Sequence, residues 1–231
     1  MAYTSKRNRK IAKDVDISKK YSVSEAIAVL QTIDPLKFDQ SIDVSLKLGV
    51  DPRKSDQSVR GTVSLPNGTG KNVRVLVFAQ GDKVNEALEA GAEYAGFTDY
   101  YDKVKGGWTD FDAVIVTPDL MREVGRLGKI LGPRNLMPTP KAGTVTQNVA
   151  QAVQLVKAGQ IEFKMDKHSQ IHTAVGKISF AVEGLEENIR SLLSSILRAK
   201  PSSAKGQYLK SLYLSSTMGP GLEIDVTEFA S

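Results

Sequence analysis

The chain has 231 residues, of which 41% are hydrophobic and 25% are charged, as in an ordinary soluble globular protein. It contains no cysteine, which excludes disulfides, thiolate metal ligands and a cysteine nucleophile. The net charge of +5 is concentrated in residues 1–20, which hold seven basic and two acidic side chains. The remaining residues hold 24 basic and 24 acidic side chains and so carry no net charge. A basic segment on a neutral body suggests an anionic polymer or surface as partner, with a solvated terminus as the alternative.

The first ten residues lack the apolar stretch of a secretory signal, and no apolar run approaches the ~20 residues of a membrane span. No membrane partner is therefore expected. Ser22 and Glu25 have the spacing of a capping box, which predicts a helix over residues 22–33. Residues 41–50 alternate between apolar and polar side chains, and the pattern returns at residues 59–65. Such strands bury one face, as in antiparallel sheets.

The middle of the chain has a different strand pattern. Residues 73–79 and 113–117 are nearly continuous apolar runs, which are typical of strands buried on both faces in a parallel sheet. Helices are predicted after them over residues 82–90, 119–131 and 146–158, beginning at Asp82, Asp119 and Thr146. Strands that alternate with helices indicate a doubly wound α/β unit.

The one-sided pattern returns near the C-terminus, at residues 161–165, 178–182 and 222–226, and a helix is predicted over residues 185–200. The predicted fold class is α/β in two domains. Residues 1–67 and 160–231 form an α+β domain with an antiparallel sheet and helices, and residues 68–159 form an inserted Rossmann-like, three-layer α/β domain. Hinges are predicted near residues 67–70 and 158–160, at Gly68, Gly70 and Gly159.

The inserted α/β domain makes a nucleotide-dependent enzyme the alternative function. Two Gly-Lys pairs are present, but Leu65 and Glu123 stand where a Walker loop needs its first glycine. The turn after the first buried strand holds only Gly81, not the three glycines of a dinucleotide fingerprint. The two histidines, His168 and His172, fall in a predicted turn between strands and have no cysteine beside them. No catalytic residue, metal or cofactor is predicted.

Three segments of the terminal domain are unusual for a purely structural role. Lys37 and Phe38 precede a strand and could present a cation and an aromatic edge to nucleic acid, with a core position for Phe38 as the alternative. Lys164, Asp166 and Lys167 lie near a strand end, where a solvated charged turn is the alternative.

The third segment, S-S-T-M-G-P-G at residues 215–221, places three hydroxyls before a methionine in a Gly-Pro-Gly turn. Short hydroxyls and a closely approaching backbone suit sugar and phosphate oxygens, including the 2′-OH of RNA. An ordinary hairpin turn is the alternative.

Four longer segments carry a resemblance. They are L-G-V-D-P-R-K-S-D-Q-S-V-R-G-T-V-S-L-P-N-G-T-G-K at residues 48–71, the Gly- and Pro-rich loop at residues 125–145, A-V-G-K-I-S-F at 174–180 and S-T-M-G-P at 216–220. With them the chain resembles, over nearly its whole length, the bacterial type of the L-one family of large-subunit ribosomal proteins.

The resemblance implies two domains and no catalysis. It implies binding to large-subunit rRNA in the mobile stalk beside the tRNA exit site, help in releasing deacylated tRNA, and repression of translation of the protein's own mRNA. It also implies a monomer within the cytoplasmic ribosome, without a cofactor and without a membrane partner.

Positions that match the family's RNA contacts, together with the hydroxyl of Ser216, give the predicted RNA-binding set: Lys37, Phe38, Ser41, Asp166, Lys167, Ser216, Thr217, Met218 and Gly219. The loop at residues 125–145 is expected to display Arg126, Lys129, Arg134 and Lys141 toward tRNA or neighbouring rRNA.

The chain departs from the family pattern at three positions. The family usually has Asn at the position of Met165, Gly at that of Asn135 and Asn at that of Thr139. Asn tolerates a positive φ better than other non-glycine residues, so the turn is expected to survive the change at Asn135.

Overall fold

A computed structural model of the chain describes residues 6–33 and 36–229. Its strands are β1 (Lys20–Tyr21), β2 (Ser41–Leu48), β3 (Arg60–Ser64), β4 (Val75–Phe78), β5 (Tyr94–Gly96), β6 (Ala113–Val116), β7 (Gln160–Lys164), β8 (Gln170–Lys177), β9 (Leu209–Ser216) and β10 (Gly221–Ile224). Its α-helices are α1 (Lys6–Asp14), α2 (Val23–Thr32), α3 (Asp82–Glu89), α4 (Thr98–Lys105), α5 (Met121–Val124), α6 (Gly128–Leu131), α7 (Val149–Lys157) and α8 (Val182–Arg198). Short 3-10 turns lie at Ser55–Gln57, Pro118–Leu120, Gly125–Leu127, Pro140–Ala142 and Val226–Phe229.

Two compact units divide the chain. The terminal unit comprises Met1–Gly70 and Glu162–Ser231, and the inserted unit comprises Lys71–Ile161.

The terminal unit contains a five-stranded sheet in the order β1-β10-β9-β2-β8. Its pairs are antiparallel except for β1 and β10, which run parallel. Alternate residues of β2 are buried, as the period-two pattern predicts, and α2 and α8 pack against this sheet. The predicted capping box of α2 is confirmed, because the Ser22 hydroxyl accepts from the Glu25 N–H and the Glu25 carboxylate accepts from the Ser22 N–H. A separate two-stranded sheet consists of β3 and β7.

The inserted unit contains a parallel sheet in the order β5-β4-β6. Every side chain of β4 is buried, which confirms the expectation from the continuous apolar run. Val75 and Val77 pack in one apolar cluster with residues of α3 and α7, while Leu76 and Phe78 pack in another with residues of α4, α5 and α6. The sheet therefore lies between two helical layers.

The predicted strand over residues 178–182 is wrong. β8 ends at Lys177, and the Phe180 N–H turns back to the Lys177 carbonyl at 3.1 Å. The Gln31 amide donates to the carbonyls of Ile178 and Phe180 at 3.0 and 2.9 Å, so these groups bind a side chain instead of a neighbouring strand. As a result α8 begins at Val182, ahead of its predicted start.

The single helix predicted over residues 119–131 is also wrong. The structure has two four-residue helices there, α5 and α6, which are separated by the 3-10 turn Gly125–Leu127. Gly125 and Gly128 lower the helix propensity of this segment, and the helical start lies at Thr117 and Pro118 instead of Asp119.

Two other predicted helix starts shift by one or two residues. Gly81, with φ 64°, precedes α3, so Asp82 is its first residue and not its cap. Asn148 caps α7 by accepting from the Gln151 N–H at 3.3 Å, in place of the predicted start at Thr146.

Candidate nucleic-acid interface

Ser41 and Thr217 lie side by side where β2 begins and β9 ends. Ile42 pairs with Ser216, and just beyond this pair the Thr217 N–H donates to the Ser41 carbonyl at 3.1 Å. The Thr217 hydroxyl accepts from the Ser41 N–H at 3.0 Å and donates to the Ser41 carbonyl at 3.3 Å. With its proton directed to Ser41, this exposed hydroxyl is arranged to accept a hydrogen bond from a ligand.

The backbone of the turn after Thr217 is fixed by partners on both sides. The Met218 N–H donates to the Gln40 side chain at 3.0 Å, and Gln40 itself is only 2% exposed. The Met218 carbonyl accepts from Arg7 Nη1 at 3.1 Å, and the Gly219 N–H donates to the Ser216 carbonyl at 3.0 Å. The turn is thus held in one conformation before any ligand arrives.

Large apolar side chains stand in solvent beside this turn. Phe38 is 52% exposed and Met218 is 57% exposed. A core position for Phe38, the alternative considered from sequence, is therefore wrong. An exposed aromatic ring and an exposed thioether next to hydroxyls can stack on bases while the polar groups bind sugar or phosphate oxygens.

Cations also lie at this end of the sheet. Lys37 is exposed, and the ammonium of Lys177 donates to the Ser41 hydroxyl at 3.2 Å and to the Asp39 carbonyl at 3.3 Å. Lys177 pairs across the strands with Ser41. It brings a positive charge beside the turn, which favours an anionic ligand there.

Ser216 and Gly219 form a tight contact inside the turn. Ser216 is 3% exposed, and its buried Oγ has no hydrogen-bond partner among the described residues. A Cβ added to Gly219 would lie 2.2 Å from that Oγ, far inside van der Waals contact. A side chain at position 219 would require the Ser216 hydroxyl to move, and the structure places Ser216 under the turn, not on its surface.

Asp166 and Lys167 lie at the opposite end of the sheet. Ser41 pairs with Lys177, whereas Lys47 pairs with Gln170, so six residues of extended strand, about 20 Å, separate the two places. The structure therefore brings together the Lys37–Ser41 and Ser216–Gly219 segments and leaves Asp166 and Lys167 apart.

The carboxylate of Asp166 organises its own turn. It accepts from the N–H groups of His168 and Gln170, both at 2.8 Å. Partial burial raises the pKa of Asp166, but these two N–H groups and the nearby imidazoles of His168 and His172 outweigh it, so the pKa lies below its usual value. Lys167 is exposed beside it.

A polar face of the sheet joins the two ends. Ser45 pairs with His172 on one side and with Tyr213 on the other, so the three side chains share a face. The Ser45 hydroxyl lies 3.0 Å from His172 Nδ1, and Tyr213 is 40% exposed. This face carries hydroxyl, imidazole and phenol groups between the separated parts of the predicted set.

The four predicted cations of the inserted unit, Arg126, Lys129, Arg134 and Lys141, are all exposed. Arg134 makes a short contact with the hydroxyl of Thr109. Asn135 takes a φ of 56°, in the left-handed region that asparagine tolerates better than other non-glycine residues.

The three glycines predicted as hinges have positive φ values, 65° at Gly68, 67° at Gly70 and 99° at Gly159. In the described part of the chain, His, Asp and Glu side chains form no group of three or more that could hold a metal ion. A search of the same residues finds no helix with the length and apolarity to span a membrane.

Sequence reasoning missed Gln40, Lys177 and Arg7 as parts of the site. Gln40 is next to the predicted Ser41, and Lys177 lies within a segment that carries the resemblance. Both residues could therefore have been suspected from their positions in the sequence. Nothing in the sequence indicates that Arg7 reaches Met218.

Comparisons with known proteins show the family of the chain. A family model described as the Ribosomal protein L1p/L10e family matches residues 26–220. The chain is 66% identical over 228 residues to the "Large ribosomal subunit protein uL1" of Protochlamydia amoebophila (strain UWE25), covering 99% of this chain and 97% of that protein. It is 56% identical to the protein of that name from Chlamydia pneumoniae (99% and 98% covered) and 52% identical to that from Amoebophilus asiaticus (strain 5a2), with 98% of each chain covered.

Proposed function

The chain belongs to the Ribosomal protein L1p/L10e family, and from this membership we propose that its terminal unit binds large-subunit rRNA in the mobile stalk. The family is one of structural, non-enzymatic ribosomal proteins, so the chain is a ribosomal protein of the large subunit that works at the cytoplasmic ribosome.

The observation that carries the proposal is the paired Ser41–Thr217 contact with exposed apolar side chains beside it. Thr217 Oγ1 can accept a hydrogen bond from a ribose 2′-OH, a donor that DNA lacks. Phe38 and Met218 can pack on unstacked bases, and Lys37 and Lys177 can neutralise phosphates. A folded RNA that presents these groups together would be recognised by shape more than by base sequence.

The proposal is tested first by co-sedimentation with large ribosomal subunits that lack this protein, at moderate salt. Binding of a stalk rRNA fragment, measured by filter binding, is then expected to be saturable and to weaken as salt rises. The alternative function, a nucleotide-dependent enzyme, would instead give saturable binding of ATP or NAD in calorimetry and no co-sedimentation.

A separate experiment tests whether the terminal unit alone contains the main rRNA-binding site. A chain in which residues 68–159 are replaced by a short linker is expected to keep most of the rRNA affinity. Its circular dichroism and amide exchange establish whether the terminal unit is folded. If this chain is folded but does not bind rRNA, the main site lies in the inserted unit.

We propose further that the inserted unit contacts exit-site tRNA through its exposed cations and helps to release deacylated tRNA, while Gly68, Gly70 and Gly159 allow it to follow the stalk. Replacing Arg126, Lys129 and Lys141 by Gln is expected to slow tRNA release without changing rRNA affinity; Arg134 is left in place because it contacts Thr109. Unchanged release would make the loop purely structural.

Repression of the protein's own mRNA follows if that message folds into a similar RNA structure. Competition between the stalk fragment and the leader of the mRNA for the same protein site tests this, and Thr217→Val is expected to weaken both complexes together.

A further inference from the structure

The basic N-terminal segment forms a helix that is docked on the terminal unit. Ile11 of α1 and Val15, which directly follows α1, are each 8% exposed. They line a small cavity together with Val29, Thr32 and Ile33 at the end of α2. The alternative of a wholly solvated terminus is therefore wrong for the residues from Lys6 onward.

Three basic side chains lie on another side of α1. Lys6, Arg9 and Lys13 are exposed, and at 3.6 residues per turn they share a face that is directed away from Ile11. Basic groups at the start of a helix oppose its dipole, and α1 has no acidic side chain in its first turn. Helix stability therefore accounts for Lys13, which lies in the last turn, but not for the basic groups in the first turn, which an anionic partner would favour.

Arg7 connects α1 to the turn described above. Its Nη1 donates to the Met218 carbonyl at 3.1 Å across 211 residues of sequence. The Met218 N–H is held by Gln40, so both polar groups of the Met218 backbone are bound by side chains from distant segments. The exposed methionine therefore stands on a backbone that α1 helps to fix.

We propose that α1 is a second RNA-contact element of the terminal unit. Lys6, Arg9 and Lys13 neutralise phosphates of the RNA that the Ser41–Thr217 end binds, and Arg7 is a positioning residue that holds Met218 for that RNA. This inference rests on the proposed rRNA binding. RNA fits better than an acidic protein because α1 is bonded directly to the turn whose hydroxyl and aromatic neighbours suit ribose and bases.

The charge half of the proposal is tested with Lys6→Gln/Arg9→Gln/Lys13→Gln. The matched control, Lys103→Gln/Lys105→Gln/Arg122→Gln, removes two lysines and one arginine that are exposed on the inserted unit. Affinity for the stalk rRNA fragment is measured over a series of salt concentrations. The α1 variant is expected to bind roughly ten-fold more weakly at moderate salt, with a log–log salt slope shallower by about 2 to 3.

The control is expected to match the wild type in both affinity and slope. If the α1 variant also matches the wild type, α1 makes no phosphate contact and the inference fails, although rRNA binding stands. If the wild-type protein itself does not bind the fragment, the proposed function has failed instead.

The positioning half is tested with Arg7→Lys and Arg7→Met. Lysine keeps the charge but lacks the planar guanidinium that reaches the carbonyl. Both variants are therefore expected to lose several-fold in affinity and to exchange the Met218 and Gly219 amide protons faster, while Arg7→Lys keeps the wild-type salt slope. Full affinity in Arg7→Lys, or unchanged amide exchange in both variants, would overturn the positioning role.

Discussion

Asn188 holds Asn67 at the point where the chain leaves the terminal unit. The side-chain oxygen of Asn188 accepts from the Asn67 N–H at 3.0 Å, and its amide donates to the carbonyls of Gly68 and Val175 at 3.0 and 2.8 Å. Asn188 lies on α8 and is fully buried. One side chain therefore satisfies three backbone groups from two separate segments, which stabilises the end of the terminal unit next to the predicted hinge.

Asn188→Leu is expected to destabilise the terminal unit by about 2 to 4 kcal/mol, because it removes the partner of one buried and two part-buried backbone groups at a similar side-chain volume. Amide exchange along α8 measures this loss. The single tryptophan, Trp108, lies in the inserted unit, so its fluorescence is expected to report a nearly unchanged transition. Ser194→Ala, at an exposed position of the same helix, serves as the control. Equal exchange in both variants would contradict the role of Asn188.

Thr217→Val is expected to weaken binding of the stalk rRNA fragment by roughly five-fold to a hundred-fold, a loss of about 1 to 3 kcal/mol. The change removes the acceptor offered to the RNA and also the partner of the Ser41 N–H. Thr217→Ser keeps the hydroxyl and is expected to retain most of the affinity. Filter binding of the three proteins measures the effect.

Thr173 provides the matched control for Thr217. It lies in the same sheet, and its buried hydroxyl has no partner within the described part of the chain. Thr173→Val is accordingly expected to leave rRNA affinity unchanged. Equal affinities for Thr217→Val and Thr173→Val would exclude the turn from the site.

Gly219→Ala is expected to displace the turn, because the new methyl group would lie 2.2 Å from Ser216 Oγ. The affinity for rRNA should fall, while Ser216→Ala alone should be nearly neutral because that hydroxyl has no partner among the described residues. The double variant Ser216→Ala/Gly219→Ala removes the collision and is expected to recover much of the affinity. Additive losses in this double-mutant cycle would rule out the steric explanation.

The turn at Asp166 is expected to loosen in acid. The pKa of Asp166 is lower in the folded protein than the usual value of about 3.9, so its ionised carboxylate stabilises the fold above that pH. The stabilisation is lost as the pH falls through the folded pKa. Amide exchange at His168 and Gln170, relative to Asp166→Asn, is expected to differ at neutral pH and to converge in acid. A difference that persists in acid would show that the carboxylate charge is not the cause.

Sequence patterns predicted the elements whose burial is periodic. The sequence of β2 alternates between apolar and polar residues, and only one face of this strand is buried. The sequence of β4 is continuously apolar, and both faces of this strand are buried. The segment at residues 178–182 also alternates, yet its carbonyls bind the side chain of Gln31, a tertiary contact that no local pattern encodes.

The candidate site was predictable only in part, because its residues are brought together by strand pairing. The Lys37–Ser41 and Ser216–Gly219 segments were found through a family resemblance and their residue types. Their adjacency depends on the register of β2 with β9, and the separation of Asp166 depends on the register of β2 with β8. The contacts from Arg7 and Gln40 to Met218 join residues 211 and 178 positions apart, beyond the range of any motif. The assignment of functions to the two units stays a prediction.

The hydrogen bonds between Ser41 and Thr217 join residues 176 positions apart in the sequence. The proposed RNA surface therefore cannot form during synthesis until the polypeptide has been made through Thr217 and this part has emerged from the exit tunnel. Chains that terminate prematurely before Thr217 would contain the whole inserted unit and most of the terminal unit, but they would lack the turn. Such fragments are expected to bind rRNA more weakly than protein that includes Thr217, and therefore to compete with it poorly.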